Sequence, residues 1–433
     1  MTNQTRNPKS EPESVDQNSS SVPPRLRDLA RVFAQVGAFG FGGGMGMLAI
    51  LRQTVLERLK WVTEEEFTTS VALGQMIPGP FIPNCVEYLG YRLRGLKGMI
   101  VSALAFLSPS ILAVLILSIV YFRFGTVPAV QAAFRGVEPV VVGILIVATW
   151  QLARQACRNW RSVLIALLAF TALLLKADVL LTIAGSGLLG VALFTNFRGK
   201  KGTPLGGMSP FSRVPIFAPW FLAPWFVPSA YALQPGSAAG AVLRRAAELF
   251  GVFLKIGTIV WGGGFAAIPF IKNEVVDTRA WLTAKEFIDG VALGQITPGP
   301  VAITATFVGY RVLGLAGAFL ATVGMFLPSF LILLVVIRIY ERIKDNYLVQ
   351  GFLKGIMPAV VGMLLSAALL MGRESITNLP TAGLGVLSLV LILFVKLDPV
   401  WLVLGGAAIG LILGQVSPDH LGELGRQNAE HWV

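Results

Sequence analysis

Pro78-Gly79-Pro80 interrupts one apolar run of the chain, and Pro298-Gly299-Pro300 interrupts another. A proline inside a helix removes a backbone hydrogen bond, so each run must stop near Ile77 or Thr297 and restart at the second proline. The first turn of a restarted helix presents amides with no partner, at the positive end of its dipole. At membrane depth such amides suit an anion. Polar side chains surround both breaks: Gln75 and Asn84 at the first, Gln295, Thr297, Thr304 and Thr306 at the second. Glycine triplets form a second kind of interruption, Gly42-Gly43-Gly44 and Gly262-Gly263-Gly264. Each glycine weakens a helix by up to ~1 kcal/mol relative to alanine. An unwound backbone of this kind either approaches a ligand or lets neighbouring helices pack closely, and the residues alone leave both readings open. The proline breaks likewise read as a site or as kinks, and Gln75 and Gln295 as donors or as caps on freed carbonyls.

The charged candidates have two readings each. Arg92 and Arg311 follow a Gly-Tyr pair at the end of an apolar segment, where an arginine pairs an oxyanion or snorkels to the interface. Glu66 and Glu286 stand at matched segment entrances, as proton-coupling carboxylates or as acids favoured by a helix N-terminus. Glu138 has no acidic counterpart, since the matched residue is Met357, so it is a unique coupling site or another N-terminal acid. Lys255 lies inside an apolar segment, facing the site or snorkelling to an end.

These residues belong to a repeat. Residues 71–80, VALGQMIPGP, and 291–300, VALGQITPGP, agree at eight of ten positions at an offset of 220. Gly37 matches Gly257, and Trp61 matches Trp281, in the same register. After the decapeptide the offset is 219, pairing Gly90-Tyr91-Arg92 with Gly309-Tyr310-Arg311, Pro109-Ser110 with Pro328-Ser329, and Gly136 with Gly355. Each half spans about one domain's worth of chain.

The 433 residues are 55% hydrophobic and 13% charged, with mean hydropathy +0.71. Apolar runs reach membrane length repeatedly, at roughly 20 residues per span, and do not alternate as barrel strands would. The fold class is an all-α polytopic membrane protein of two homologous transmembrane halves. The expected layout is a disordered cytoplasmic tail over 1–24, a first repeat over 25–197, a connector over 198–243 whose 214–233 segment is either an extra span or an interfacial segment, a second repeat over 244–415 and a C-terminal tail over 416–433. Two cysteines and two histidines, the latter both near the C-terminus, give neither a disulfide framework nor a metal or cofactor site. The net charge of +12 sits in short loops, which points to membrane orientation and not to nucleic acid. With 26–51 and 66–91 taken as two of six spans in the first half, bases concentrate on the inner side. Adding a span at 214–233 places more of the second half's bases inside too. That favours inverted-topology repeats with broken helices, the architecture of secondary transporters.

The glycine triplets in FGFGGG and WGGG, the ALGQxxPGP of both halves and the GYR after each resemble the chromate transporter family in its long, two-domain form. The resemblance runs from about residue 27 to 415. It implies an inner-membrane carrier in the bacterial plasma membrane that exports chromate and confers resistance, driven by the electrochemical gradient through proton exchange, with two oppositely oriented halves. A carrier of sulfate or another oxyanion is the alternative, and a passive anion channel stands further off. No triad or paired carboxylates of a lipid-modifying enzyme are evident. The partners implied are the anion and membrane lipid, with a homodimer left open.

Overall fold

The computed structural model describes residues 24–40, 43–195 and 238–416. Phe41, Gly42, nearly all of the expected N-terminal tail, the connector up to residue 237 with its 214–233 segment and the C-terminal tail beyond residue 416 lie outside the described residues. Every regular element among the described residues is a helix.

The first half opens with two helical hairpins. Helix α1 (Leu26–Phe39) ends at Gly40, and α2 (Gly43–Arg52) runs on into a π turn, Gln53–Arg58. Thr63 then caps α3 (Glu64–Met76), and α4 (Phe81–Phe124) follows the proline break. Helix α4 is two helices. Arg94 and Gly95 leave helical geometry, Gly95 with φ +60°, and the chain doubles back so tightly that Gly90 and Gly98 meet backbone to backbone. Contacts fix the directions. Arg94 Nε donates to the Pro24 carbonyl at 2.6 Å, Arg52 pairs with Glu64, and Arg92 pairs with Glu66. The start of α1, the end of α2, the start of α3 and the end of α4's first arm therefore lie together at one end.

That arrangement corrects the expected spans. Segments 26–51 and 66–91 each enter and leave at the same end, with their breaks at the tip. It also splits the second half's bases differently: Lys272, Arg279 and Lys285 lie at the Glu286 end, while Arg338, Arg342 and Lys344 lie at the other. The first half keeps its basic excess at the Glu66 end, with Arg123, Arg135 and Lys176 opposite, but the second half's charges no longer argue for inversion.

The second arm of α4 is a full span, followed by α5 (Pro128–Ala156), α6 (Trp160–Leu174) and α7 (Val179–Phe194). The second half repeats the plan: α8 (Ala238–Ile259), a 3-10 turn and α9 (Ala267–Lys272), a π turn (Asn273–Thr278), α10 (Ala284–Ile296), a 3-10 turn at Val301–Ile303, α11 (Thr304–Ile343), α12 (Tyr347–Ser375), α13 (Leu379–Val390) and α14 (Pro399–Val416). Helix α11 doubles back at Leu313 and Gly314, the latter at φ +58°. Among the described residues, four helices are long and apolar enough to cross a membrane, Phe81–Phe124, Pro128–Ala156, Val301–Ile343 and Tyr347–Ser375. Leu104, Leu112, Ile116, Leu167, Leu188 and Phe319 stay largely exposed, as lipid-facing side chains do.

The halves interlock. Helices α6 and α7 pack on α12 of the other half, and α13 and α14 pack on α5. Small residues make these crossings: Gly136 lies against Gly406 and Gly410, Gly355 against Gly190. Without a hydrophobic driving force between lipid-embedded helices, close backbone approach of this kind supplies the association. The recurring Gly136/Gly355 pair is thereby explained as packing.

Candidate functional site

Each proline break is a short extended loop. Helix α3 ends at Met76, Ile77 is extended, Gly79 sits at φ +114° and Pro80 opens α4. The second break copies it, with Thr297 extended, Gly299 at φ +109° and Pro300 opening a 3-10 turn. Only glycine adopts this backbone without strain. The two loops do not pack within their own halves alone. The Gly79 amide donates to the Val260 carbonyl at 2.6 Å, and the Gly299 amide donates to the Gly40 carbonyl at 3.1 Å. Gly40 and Val260 are equivalent positions, each just past the first helix of its half. A Cβ at Gly79 would collide with Ser329, and one at Gly299 with Ser110. Those serines are equivalent as well. Both breaks are thus held, reciprocally, against the opposite half.

Buried polar atoms occur at these loops or at and next to the residues that hold them. Asn84, one turn into α4, is 0% exposed, and neither its Oδ1 nor its Nδ2 has a hydrogen-bond partner. Gln295 Nε2, Trp261 Nε1 and Ser110 Oγ are also buried without partners. Burying such groups unpaired costs roughly 1–3 kcal/mol each. Three of the four residues bring N–H donors, the chemistry an oxyanion needs. Gly262 and Gly263 lie at φ +91° and +106°, and Gly264 packs beside the Val301 amide. Gly44 lies near the Phe81 ring. Gly44 and Gly264 therefore each pack beside the proline break of their own half. Gln75 is exposed, unlike Gln295. Thr297 and Thr304 hydroxyls donate to carbonyls of their own turns, and Thr306 bonds Thr322, which leaves those three satisfied.

The matched charges lie elsewhere. Glu66 closes a capping box with Thr63 and accepts from Arg92, and Glu286 does the same with Thr283 and Arg311. Arg92 stands eleven residues beyond Phe81, roughly 17 Å along the helix at 1.5 Å per residue. Neither arginine reaches a break. Burial pushes the Glu66 carboxyl up, but Arg92 and the Thr63 amide more than offset it and hold the group below the usual carboxylate range. Lys255 pairs with Glu274. Glu138 is buried and meets Lys285 of the other half at 3.6 Å.

Two buried acids that form no ion pair escaped the sequence reading. Glu87, 1% exposed with Oε2 unpartnered, lies one turn beyond Asn84; Asp289, 1% exposed, accepts from Tyr121 Oη at 2.7 Å. The signal was present: an ionisable residue inside an apolar segment is costly and marks function. No cluster of His, Cys, Asp and Glu fit for a metal occurs among the described residues.

The model of the family described as Chromate transporter matches the chain twice, over residues 27–191 and 247–411. A probable chromate transport protein of Synechococcus elongatus is 32% identical over 367 residues, which are 84% of this chain and 89% of the relative. A chromate transport protein of Cupriavidus metallidurans is 32% identical over 392 residues, 89% and 93% of the two chains. One from Pseudomonas aeruginosa is 29% identical over 377 residues, 86% and 87%. No solved structure matches.

Proposed function

The chain belongs to the chromate transporter family and is a multi-pass membrane transport protein; on that premise we propose that it is a secondary carrier that exports chromate, with the ion held between the two proline breaks. The single observation behind this reading is the reciprocal bonding of Gly79 to Val260 and of Gly299 to Gly40. It brings the tip of one half's hairpin to the unwound end of the other's first helix. Chromate is a tetrahedral dianion. Helix N-termini, the Asn84 and Gln295 amides and the Trp261 indole present donors to its oxygens. Arg92 and Arg311 are not committed to it, because they are engaged by Glu66 and Glu286. A neutral donor set binds the dianion without holding it too tightly to release.

The halves have opposite orientation on this reading. Phe122, near the far end of α4, stacks on Phe307 at 4.9 Å and on Tyr310 at 5.9 Å, beneath Arg311. Those partners belong to the turn end of α11's first arm. Contact between the far end of one half and the near end of the other supports antiparallel repeats. Exchange of conformation between such halves moves a midplane site from one side to the other. The gradient drives export through proton exchange and so confers resistance.

The experiment is chromate flux in proteoliposomes holding the full chain, with and without an imposed pH gradient and potential. Saturable flux that responds to the gradient supports the carrier; non-saturable flux indifferent to pH supports a channel. Sulfate shares chromate's shape and charge, so the same vesicles with competing sulfate separate a chromate carrier from a general oxyanion carrier.

A further inference from the structure

Asp289 sits in α10, 1% exposed, at the seam between the halves. Its Oδ2 accepts from Tyr121 Oη of the first half at 2.7 Å, and its Oδ1 is buried with no partner. The Tyr121 ring is fixed by Phe122, Phe134 and Phe307, at centroid distances of 4.9, 5.1 and 5.4 Å. The charges that face Asp289 are few. From α5 comes Glu138, itself beside Arg135; from its own helix come Lys285 and Glu286. Lys285 lies 3.6 Å from Glu138, and Glu286 is paired with Arg311. Among the described residues no cation is therefore left for Asp289 alone. A neutral phenol gives one hydrogen bond, and an ionised carboxylate with its other oxygen orphaned is expensive at this burial. With a proton bound, the group carries no net charge.

The repeat makes the site unique. The position equivalent to Asp289 is Thr69, while the equivalent of Tyr121 is Tyr340. One end of the molecule therefore has both latch and acid, and the other has the tyrosine without the acid.

We propose that Asp289 is the proton-binding group of the transport cycle and that Tyr121 is the latch that seals it when the halves close at that end. This rests on the carrier reading above. Closed, the pair is dry and Asp289 holds a proton. When the first half swings away, the Tyr121–Asp289 bond breaks, water enters, and the carboxylic acid releases its proton to that water as hydronium. Reclosure on a carboxylate is disfavoured, so the return step requires a proton from the aqueous phase. Glu87 has no such partner across the seam, which sets it apart.

The test uses full-chain proteoliposomes loaded with chromate. Two readings are taken: net flux driven by a pH gradient, and chromate–chromate exchange at equal pH, which needs no net proton release. Asp289→Asn mimics the protonated form. It is expected to reduce gradient-driven flux to that of empty vesicles while exchange continues. Gradient-driven flux at the wild-type level in Asp289→Asn overturns the proposal, as does loss of exchange in a variant that melts like wild type. Should Asp289→Asn fail to fold, Tyr121→Phe decides: a shifted pH profile of driven flux with exchange retained supports the latch, and an unchanged profile overturns it. If wild-type flux itself ignores the pH gradient, the carrier reading has failed, and that outcome is distinct from either variant's.

Discussion

Gly79 donates its amide to the carbonyl of Val260, 2.6 Å away in the other half, and the equivalent bond from Gly299 to Gly40 repeats it at 3.1 Å. Two breaks that would each expose backbone at membrane depth are thereby stabilised by one another. The remaining amides of the restarted helices, and the unpartnered side chains around them, are what the proposed site has to offer a ligand.

Gly79→Ala and Gly299→Ala should each damage this arrangement twice over. Both positions lie at φ above +100°, and a Cβ meets Ser329 or Ser110 of the opposite half. The backbone strain alone is about 1–3 kcal/mol. Each variant is expected to melt earlier in detergent and to lose chromate flux. Adding Ser110→Gly to Gly299→Ala should recover part of the loss, because it removes the collision but not the strain. Full stability in Gly299→Ala would show that the loop is not held as described.

The Glu66–Arg92 pair should prove structural. Both groups are partly exposed, so a double-mutant cycle is expected to give no more than about 1 kcal/mol. Glu66 lies below the ordinary carboxylate range when folded. Its contribution is therefore present above the unfolded value of about 4.3 and is lost as pH falls through the lower folded value. Melting temperatures of wild type and Glu66→Gln should differ at neutral pH and converge in acid. The pH dependence of transport should be the same in both; a changed transport profile in Glu66→Gln would return this residue to the coupling machinery.

The proposed opposed orientation of the halves predicts a cross-link. Phe122→Cys with Tyr310→Cys, in a chain without Cys85 and Cys157, should be joined by a bifunctional thiol-reactive cross-linker, since the two rings stack at 5.9 Å. A reporter joined at the α4–α5 turn should fall on the same side as one joined at the turn of α11, Gly314. Opposite sides for these two reporters would contradict inversion.

Glycine and proline made the breaks legible in the sequence, because those residues dictate backbone conformation directly. Direction was not legible. An apolar stretch of about 26 residues with a central break has one composition whether it crosses or turns back, and only contacts such as Arg92 to Glu66 tell the two apart. Counting bases on crossing segments therefore assigned several of the second half's charges to the wrong end. The repeat itself hid the buried acids. Matching the halves selects what they share, whereas Glu87 and Asp289 stand where the other half has Thr306 and Thr69. Asn84 was visible as a polar residue near a break, but its complete lack of partners depends on how α3 and α4 pack.

Asn84 and Gln295 give the most direct test of the anion site. Replacing an unsatisfied buried amide with an apolar side chain of similar size should leave the unliganded protein as stable or more so, by about 1 kcal/mol. Binding should suffer, because the donors are lost. Equilibrium chromate binding to the purified full chain, measured beside melting temperature for wild type, Asn84→Leu and Gln295→Leu, reads both effects. Loss of roughly tenfold or more in affinity, about 1.4 kcal/mol, without a fall in melting temperature is the predicted result. Wild-type affinity in both variants would contradict a chromate site between the two proline breaks.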